Sequence, residues 1–161
     1  MNPCPCGYLG DPVRECRCAA SAVQRYQKRI SGPLLDRIDI HIEVPRVEYE
    51  KLAEKRGGET SAAVRERVTV ARKRQQGRYG GSALHTNADM GPKELASYVT
   101  LDTSAEGMMK AAVKQMQLSA RAYHRVLKLA RTIADLGGEQ GVQMQHVAEA
   151  LQYRSRQSYV V

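Results

Sequence analysis

Between Ile38 and Val44 the chain alternates: Ile38, Ile40, Ile42 and Val44 are apolar, while Asp39, His41 and Glu43 are polar. A period of two predicts a strand with one covered face, ended by Pro45. Beyond Pro45 the period lengthens to that of helices. Tyr49 and Leu52 predict a short helix that stops at Gly57-Gly58. A second is predicted from about Thr60 or Ser61 to about Gln76, with Val64, Val68 and Ala71 on its apolar side. Residues 77–91 are Gly-rich and polar and read as a loop. Pro92 to Tyr98 reads as a short helix with proline in its first turn. Thr103 and Glu106 suggest a capping box for a helix carrying Met109, Ala112, Val113 and Met116 at helical spacing. Ser119 caps the strongest helix, which runs through Leu136 to Gly137-Gly138. A last helix is expected over Gln143 to Tyr153, with Val147, Ala148 and Leu151 inward.

The first residues differ in kind. Pro3, Pro5, Gly7, Gly10 and Pro12 break any regular element over 2–18. A helix is predicted from Ser21, as N-cap, to Ile30, with Val23, Tyr26 and Ile30 on one side. Gly32-Pro33 stops it, and Leu34 and Leu35 are expected to be buried. The predicted class is mainly α, divided into a Cys-rich loop, one helix and one strand over 1–45, a helical bundle over 46–155 and a tail over 156–161. A lone strand cannot satisfy its own hydrogen bonds. The chain therefore reads as part of a larger domain, begun in its middle.

Composition sharpens this picture. Hydrophobic residues make up 42% of the 161, but Phe and Trp are absent, so the core must be largely aliphatic. The formal net charge is +8. That favours a polyanionic partner such as nucleic acid or nucleotide phosphate, against the alternative of a merely solvated basic surface. The charge is dense on the helix from Thr60, where Arg65, Arg67, Arg72, Lys73 and Arg74 face Glu66 alone; these are candidate nucleic-acid contacts. No apolar run is long enough to span a membrane, and no secretory signal opens the sequence, so a cytoplasmic chain is expected.

All four cysteines fall in the first eighteen residues: Cys4-Pro5-Cys6, nine residues, then Cys16-Arg17-Cys18. A cytoplasmic chain seldom keeps structural disulfides. Four thiolates can instead hold zinc and close a loop that has little core. One residue within each pair, rather than two, departs from the usual zinc knuckle, and four reduced thiols remain the alternative. His41 and His85 read as packing or surface residues. On the helix from Ser119, Arg121, Arg125 and Lys128 share one narrow arc, while Ala122, Tyr123, Val126, Ala130, Ile133 and Ala134 cover the other side.

The ordered segments NPCPCGYLGDP, CRC, RYQKRISGPLLDRIDIHIEVPRV, LSARAYHRVLKLARTIADL and HVAEALQYR cover most of the chain. Together they resemble the C-terminal part of magnesium-chelatase-like AAA+ ATPases of the ComM/YifB type. Residues 53–85 are the least typical. The resemblance implies that 1–45 is the end of an AAA+ nucleotide-binding core with a Cys-rich insertion, and that the following helices form its lid. It implies ATP with Mg²⁺ as cofactor, assembly of the intact protein as a homo-hexamer, and work on DNA during uptake and recombination. By the same resemblance Asn2 is a sensor near the γ-phosphate. Arg37, flanked by Asp36 and Asp39, is an arginine finger offered to a neighbouring subunit. Arg121, with Arg125 beside it, reaches the nucleotide phosphates from the lid.

No G-x-x-x-x-G-K-[ST] loop occurs, and no apolar run ends in paired acids. These 161 residues are therefore expected not to hydrolyse ATP alone. Two further readings stay open: a stand-alone zinc-stabilised nucleic-acid-binding module, and a helical protein-interaction domain whose charges have no ligand.

Overall fold

The computed structural model describes residues 1–44, 46–47 and 58–154, and these fall into two units, divided between Ala53 and Glu54. The helix expected at Tyr49 and Leu52, and the tail from 156, lie outside the described residues.

Among its described residues the first unit is a cysteine loop followed by two short helices, α1 (Ala20–Gln27) and α2 (Gly32–Leu35). Helix α1 starts two residues earlier than expected, with Ala19 rather than Ser21 at the cap, and makes no side-chain cap bond. Gln27 at its end donates from Nε2 to the Pro3 carbonyl at 3.1 Å, which ties it to the cysteine loop. In α2, Ser31 Oγ accepts from the Leu34 amide at 3.3 Å and Pro33 occupies the first turn. The strand expected over 38–44 does not form: the segment is irregular, and Ile38, Ile40, Ile42 and Val44 are 39–80% exposed. Its alternation is real, but a strand exists only through ladder bonds to another strand, and no strand is present among the described residues. Leu34, expected to be buried, is 48% exposed.

The described residues of the second unit form a bundle of five helices: α3 (Ser61–Tyr79), α4 (Pro92–Tyr98), α5 (Thr103–Met116), α6 (Ala120–Gly137) and α7 (Met144–Gln152). A 3₁₀ turn, Asn87–Asp89, precedes α4. Helix α6 is central and packs against α7, α3, α4 and the 3₁₀ turn, while α5 packs against α7. Its buried face carries Ala122, Val126, Leu127, Ala130 and Ala134. Met109, Val142, Val147 and Ala150 close over that face, so small alanines let the helices approach and larger side chains fill the gaps. Tyr79 and Tyr98 meet edge to face at 5.2 Å. Where α5 begins, Leu101 bridges to Val142, and the Val142 amide donates to the Thr100 carbonyl at 2.9 Å.

Caps set the ends. Ser119 Oγ accepts from the Ala122 amide at 3.1 Å, as its position predicts. Gly138 closes α6 at φ 89°, where a Cβ would also lie 3.2 Å from Arg74 Nη2. Helix α5 is capped by Asp102, not Thr103: its Oδ1 accepts from the Ala105 amide at 2.7 Å. The larger correction concerns α3. It passes through Gly77 to Tyr79, into the expected loop, and Val64 and Val68 stay 37% and 44% exposed. Only its last turns lie on the bundle, through Ala71, Gln75 and Tyr79.

Those last turns are held by a buried polar cluster. Asp135, 1% exposed, accepts from both ends of the Arg78 guanidinium, with Nη1 2.9 Å from Oδ2. Asn87 Nδ2 donates to the same Oδ2 at 2.8 Å, and Asn87 Oδ1 accepts from Tyr79 Oη at 2.7 Å. Arg131, 1% exposed, lies 3.1 Å from Asp135 Oδ1 and donates to the Glu139 and Gln140 carbonyls, each at 2.6 Å. Burial by itself would push the Asp135 carboxyl up; hydrogen bonds from Arg78 and Asn87 and the charge of Arg131 hold it below the usual range. A carboxyl depressed in the fold adds stability above its unfolded pKa and loses it as pH falls through the folded value. Removing one member strands the others in the interior, so Asp135→Ala is expected to cost about 3–5 kcal/mol in urea unfolding at neutral pH. Asp135→Asn should weaken the acid dependence of unfolding below about pH 4. An unchanged midpoint for Asp135→Ala would contradict this account of the bundle.

Candidate cysteine centre and cationic groove

Two places bring chemically capable side chains together, one in each unit. In the first, a tight turn from Cys4 to Gly7 (Gly7 amide to Cys4 carbonyl, 3.0 Å) folds the loop back on itself. Gly7 sits at φ 84°, a conformation that side chains seldom adopt. The turn delivers Cys4 and Cys6 opposite Cys16 and Cys18. All four sulfurs lie within 4.8 Å of one another, with Cys4–Cys6 at 3.4 Å and Cys16 3.6 Å from each.

These are free thiols, too far apart for disulfides. Sulfurs around tetrahedral zinc, each about 2.3 Å from the ion, are about 3.8 Å apart along an edge. The observed separations fit that edge, and Cys4 is fully buried. The four residues therefore fit a zinc centre despite the single-residue spacing within each pair. The thiols of Cys6 and Cys16 are pushed in opposite directions. The Tyr8 amide draws the Cys6 thiol down to about 6. The Cys18 amide favours a Cys16 thiolate, yet desolvation and the neighbouring sulfurs push Cys16 up to about 12. Four thiolates cannot share so small a space without a cation.

Around this centre, Asp11 Oδ1 accepts from the Val13 and Arg14 amides, each at 2.8 Å, and the Arg14 guanidinium lies over the Tyr8 ring. Asn2 is exposed, with its amide beside Gly7. Arg37 is also exposed, at the end of α2, and its Nη1 donates to the Pro33 carbonyl at 3.1 Å. His41 Nε2 is buried without a hydrogen-bond partner.

In the second unit, four successive basic positions of α6 line one side of a cavity of about 410 Å³: Arg121, His124, Arg125 and Lys128. Met90, Gly91, Pro92 and Leu95, at the start of α4, form its other side. The periodicity of α6 creates this wall, because residues three and four apart stack on one face while the alanine stripe faces the core. Arg121 lies in the first turn of α6, where the helix dipole disfavours a cation unless an anion is near. Glu94 is turned back into the capping interaction, its Oε2 accepting from the Gly91 amide at 2.8 Å. The lining residues include no carboxylate. The cavity has one cationic wall and one apolar wall. It can bind an anion with an apolar body.

The sequence reading placed Arg121, Arg125 and Lys128 on this arc but missed His124, which the same three- and four-residue spacing puts beside them, and the apolar wall, which arrives from α4. On α3, Arg65, Arg67, Arg72, Lys73 and Arg74 are all exposed but do not form a single face. Arg65 and Arg72 flank one side of the Val64–Val68–Ala71 line, Arg67 and Arg74 flank the other, and Lys73 lies at the back. Arg67 is engaged bidentately by Glu59 at 2.7 and 3.0 Å. Among the described residues, no helix is long and apolar enough to cross a membrane.

Comparison with known proteins agrees with the resemblance carried by the motifs. The family described as "Magnesium chelatase, subunit ChlI C-terminal" matches residues 58–154, and "Magnesium chelatase, subunit ChlI" matches residues 1–52. The chain is 43% identical over 156 residues to Competence protein ComM of Haemophilus influenzae, covering 96% of this chain and 30% of that protein. It is 36% identical over 157 residues to the YifB protein of Escherichia coli, with 96% and 30% covered. A Mycobacterium tuberculosis protein is 34% identical over 153 residues, with 95% and 30% covered. The chain thus spans about a third of the length of the curated relatives it matches, and its mainly helical second unit coincides with the region of the C-terminal match. On these grounds the chain belongs to the magnesium chelatase ChlI family, in the group that includes ComM and YifB.

Proposed function

We propose that this chain is the sensor, arginine-finger and lid portion of a magnesium-chelatase-like AAA+ ATPase, and that the α6 groove receives the phosphates of a nucleotide. The convergence of Arg121, His124, Arg125 and Lys128 on one cavity, free of carboxylates, is the observation that carries this reading. Arg121 and Arg125 hold the phosphates as charge-assisted donors. The chain's part is to bind and orient; ATP and Mg²⁺ chemistry belongs to the loop and acids that these 161 residues lack. In the intact protein Asn2 orients the attacking water. Arg37, exposed at the end of α2, offsets charge at a neighbouring subunit's nucleotide in a ring, taken as a hexamer.

The name of the Haemophilus relative, a competence protein, supports DNA as the substrate of the whole motor. The exposed basic residues of α3, Arg65, Arg72, Lys73 and Arg74 with Arg67, are the proposed contacts to its phosphates. The cysteine centre is a structural zinc site that fixes the loop between Asn2 and α1. When bound, the metal supplies cross-linking in place of a hydrophobic core.

Isothermal calorimetry with ADP should detect binding to the chain. Arg121→Ala is expected to weaken it by about ten- to a hundredfold, the value of one lost charged hydrogen bond. Equal affinity for both proteins would remove the groove from the nucleotide reading. Metal analysis of the chain purified under reducing conditions should find one zinc per chain, lost in Cys4→Ser. Absence of stoichiometric metal in the wild type would remove the zinc assignment.

A further inference from the structure

Lys128 faces the groove, yet its ammonium is already engaged. Nζ donates to the Ala88 carbonyl at 2.8 Å, in the middle of the 3₁₀ turn. That turn is tightly specified. Asp89 Oδ2 accepts from the His85 and Thr86 amides at 3.0 and 2.8 Å, and Thr86 Oγ1 accepts from the Ala88 amide at 3.2 Å.

The residue next to Ala88 is Asn87, 2% exposed, and its amide group holds the end of α3. Asn87 Oδ1 accepts from Arg78 Nη1 at 3.1 Å and from Tyr79 Oη at 2.7 Å. Asn87 Nδ2 donates to Thr132 Oγ1 at 3.0 Å, and that hydroxyl donates to the Lys128 carbonyl at 2.9 Å. Lys128 therefore touches the turn twice, through its side chain at Ala88 and through its backbone by way of Thr132 and Asn87. Its neighbours Met90 and Gly91, just past the turn, line the groove as well.

We propose that Lys128 is a positioning residue that relays occupancy of the groove to the C-terminal end of α3 through the 86–89 turn. An ammonium has three donors, so Lys128 can bond an anion while keeping its bond to Ala88. The anion then fixes the Lys128 side chain, the side chain fixes the Ala88 carbonyl, and Asn87 is held against Arg78 and Tyr79. A bound polyphosphate stiffens the junction from which the exposed basic part of α3 extends. This rests on the groove's reading as a phosphate site and adds to it a mechanical partner: the helix proposed to contact DNA.

Hydrogen exchange by mass spectrometry, on the full chain with and without saturating tripolyphosphate, tests the relay, with calorimetry run in parallel. Exchange over 77–90 is expected to slow about tenfold on binding. In Lys128→Met the slowing over 77–90 should vanish, while the tripolyphosphate affinity falls about tenfold but stays measurable. Lys128→Arg should restore both, which a purely structural role for the methylene stem would not require. Slowing confined to the first turns of α6 and to α4, or slowing over 77–90 that survives Lys128→Met, overturns the relay alone. No binding of tripolyphosphate to the wild type overturns both the relay and the phosphate reading beneath it.

Discussion

The second unit depends on one buried carboxylate. Asp135 lies between Arg78 of α3 and Arg131 of its own helix, with Asn87 completing its hydrogen bonds. A charge taken from water is tolerable only with its partners in place, so this cluster fixes α3, the 3₁₀ turn and the α6–α7 loop together. The aliphatic core around α6 provides most of the burial, but alanines and methionines pack in several ways and do not specify how the long α3 should leave the bundle. The ion cluster does. Everything offered for function in this unit, the groove on one side of α6 and the basic helix on another, takes its position from that arrangement.

The first unit solves the opposite problem. It has little apolar interior: Cys4 is the only hydrophobic residue buried among its described residues. Four sulfurs at metal-binding separations stand where a core would otherwise be, and the bond from Gln27 to Pro3 links α1 to them. Asn2 lies at the start of this loop, and Arg37 follows two short helices later. The exposed isoleucines of 38–44 mark a segment whose sequence is written for a sheet.

Most helices of the second unit were legible because they carry their own punctuation. Thr60, Pro92, Ser119 and Gly138 start or stop elements within the expected positions. The cationic arc of α6 was legible for the same reason, since 3.6-residue periodicity is a local property. What escaped was set by distant partners. Gly77 reads as a helix end, yet α3 continues because Arg78 and Tyr79 find Asp135 and Asn87 more than fifty and eight residues away respectively. One signal was present: Leu127, Arg131 and Asp135 repeat every four residues, opposite charges on the row of a buried leucine. The strand failed for the complementary reason. Alternation describes a face, but hydrogen-bond partners decide whether a strand exists.

The central claim is that the α6 arc, rather than the chain's positive charge at large, is where a nucleotide binds. Arginine side-chain Nε–Hε resonances in an NMR titration with ADP address it directly. The account predicts shifts at Arg121 and Arg125 that saturate together, with Arg65, Arg72 and Arg74 unmoved at the same concentrations. Shifts of similar size on the α3 arginines, without saturation at Arg121 and Arg125, would contradict it.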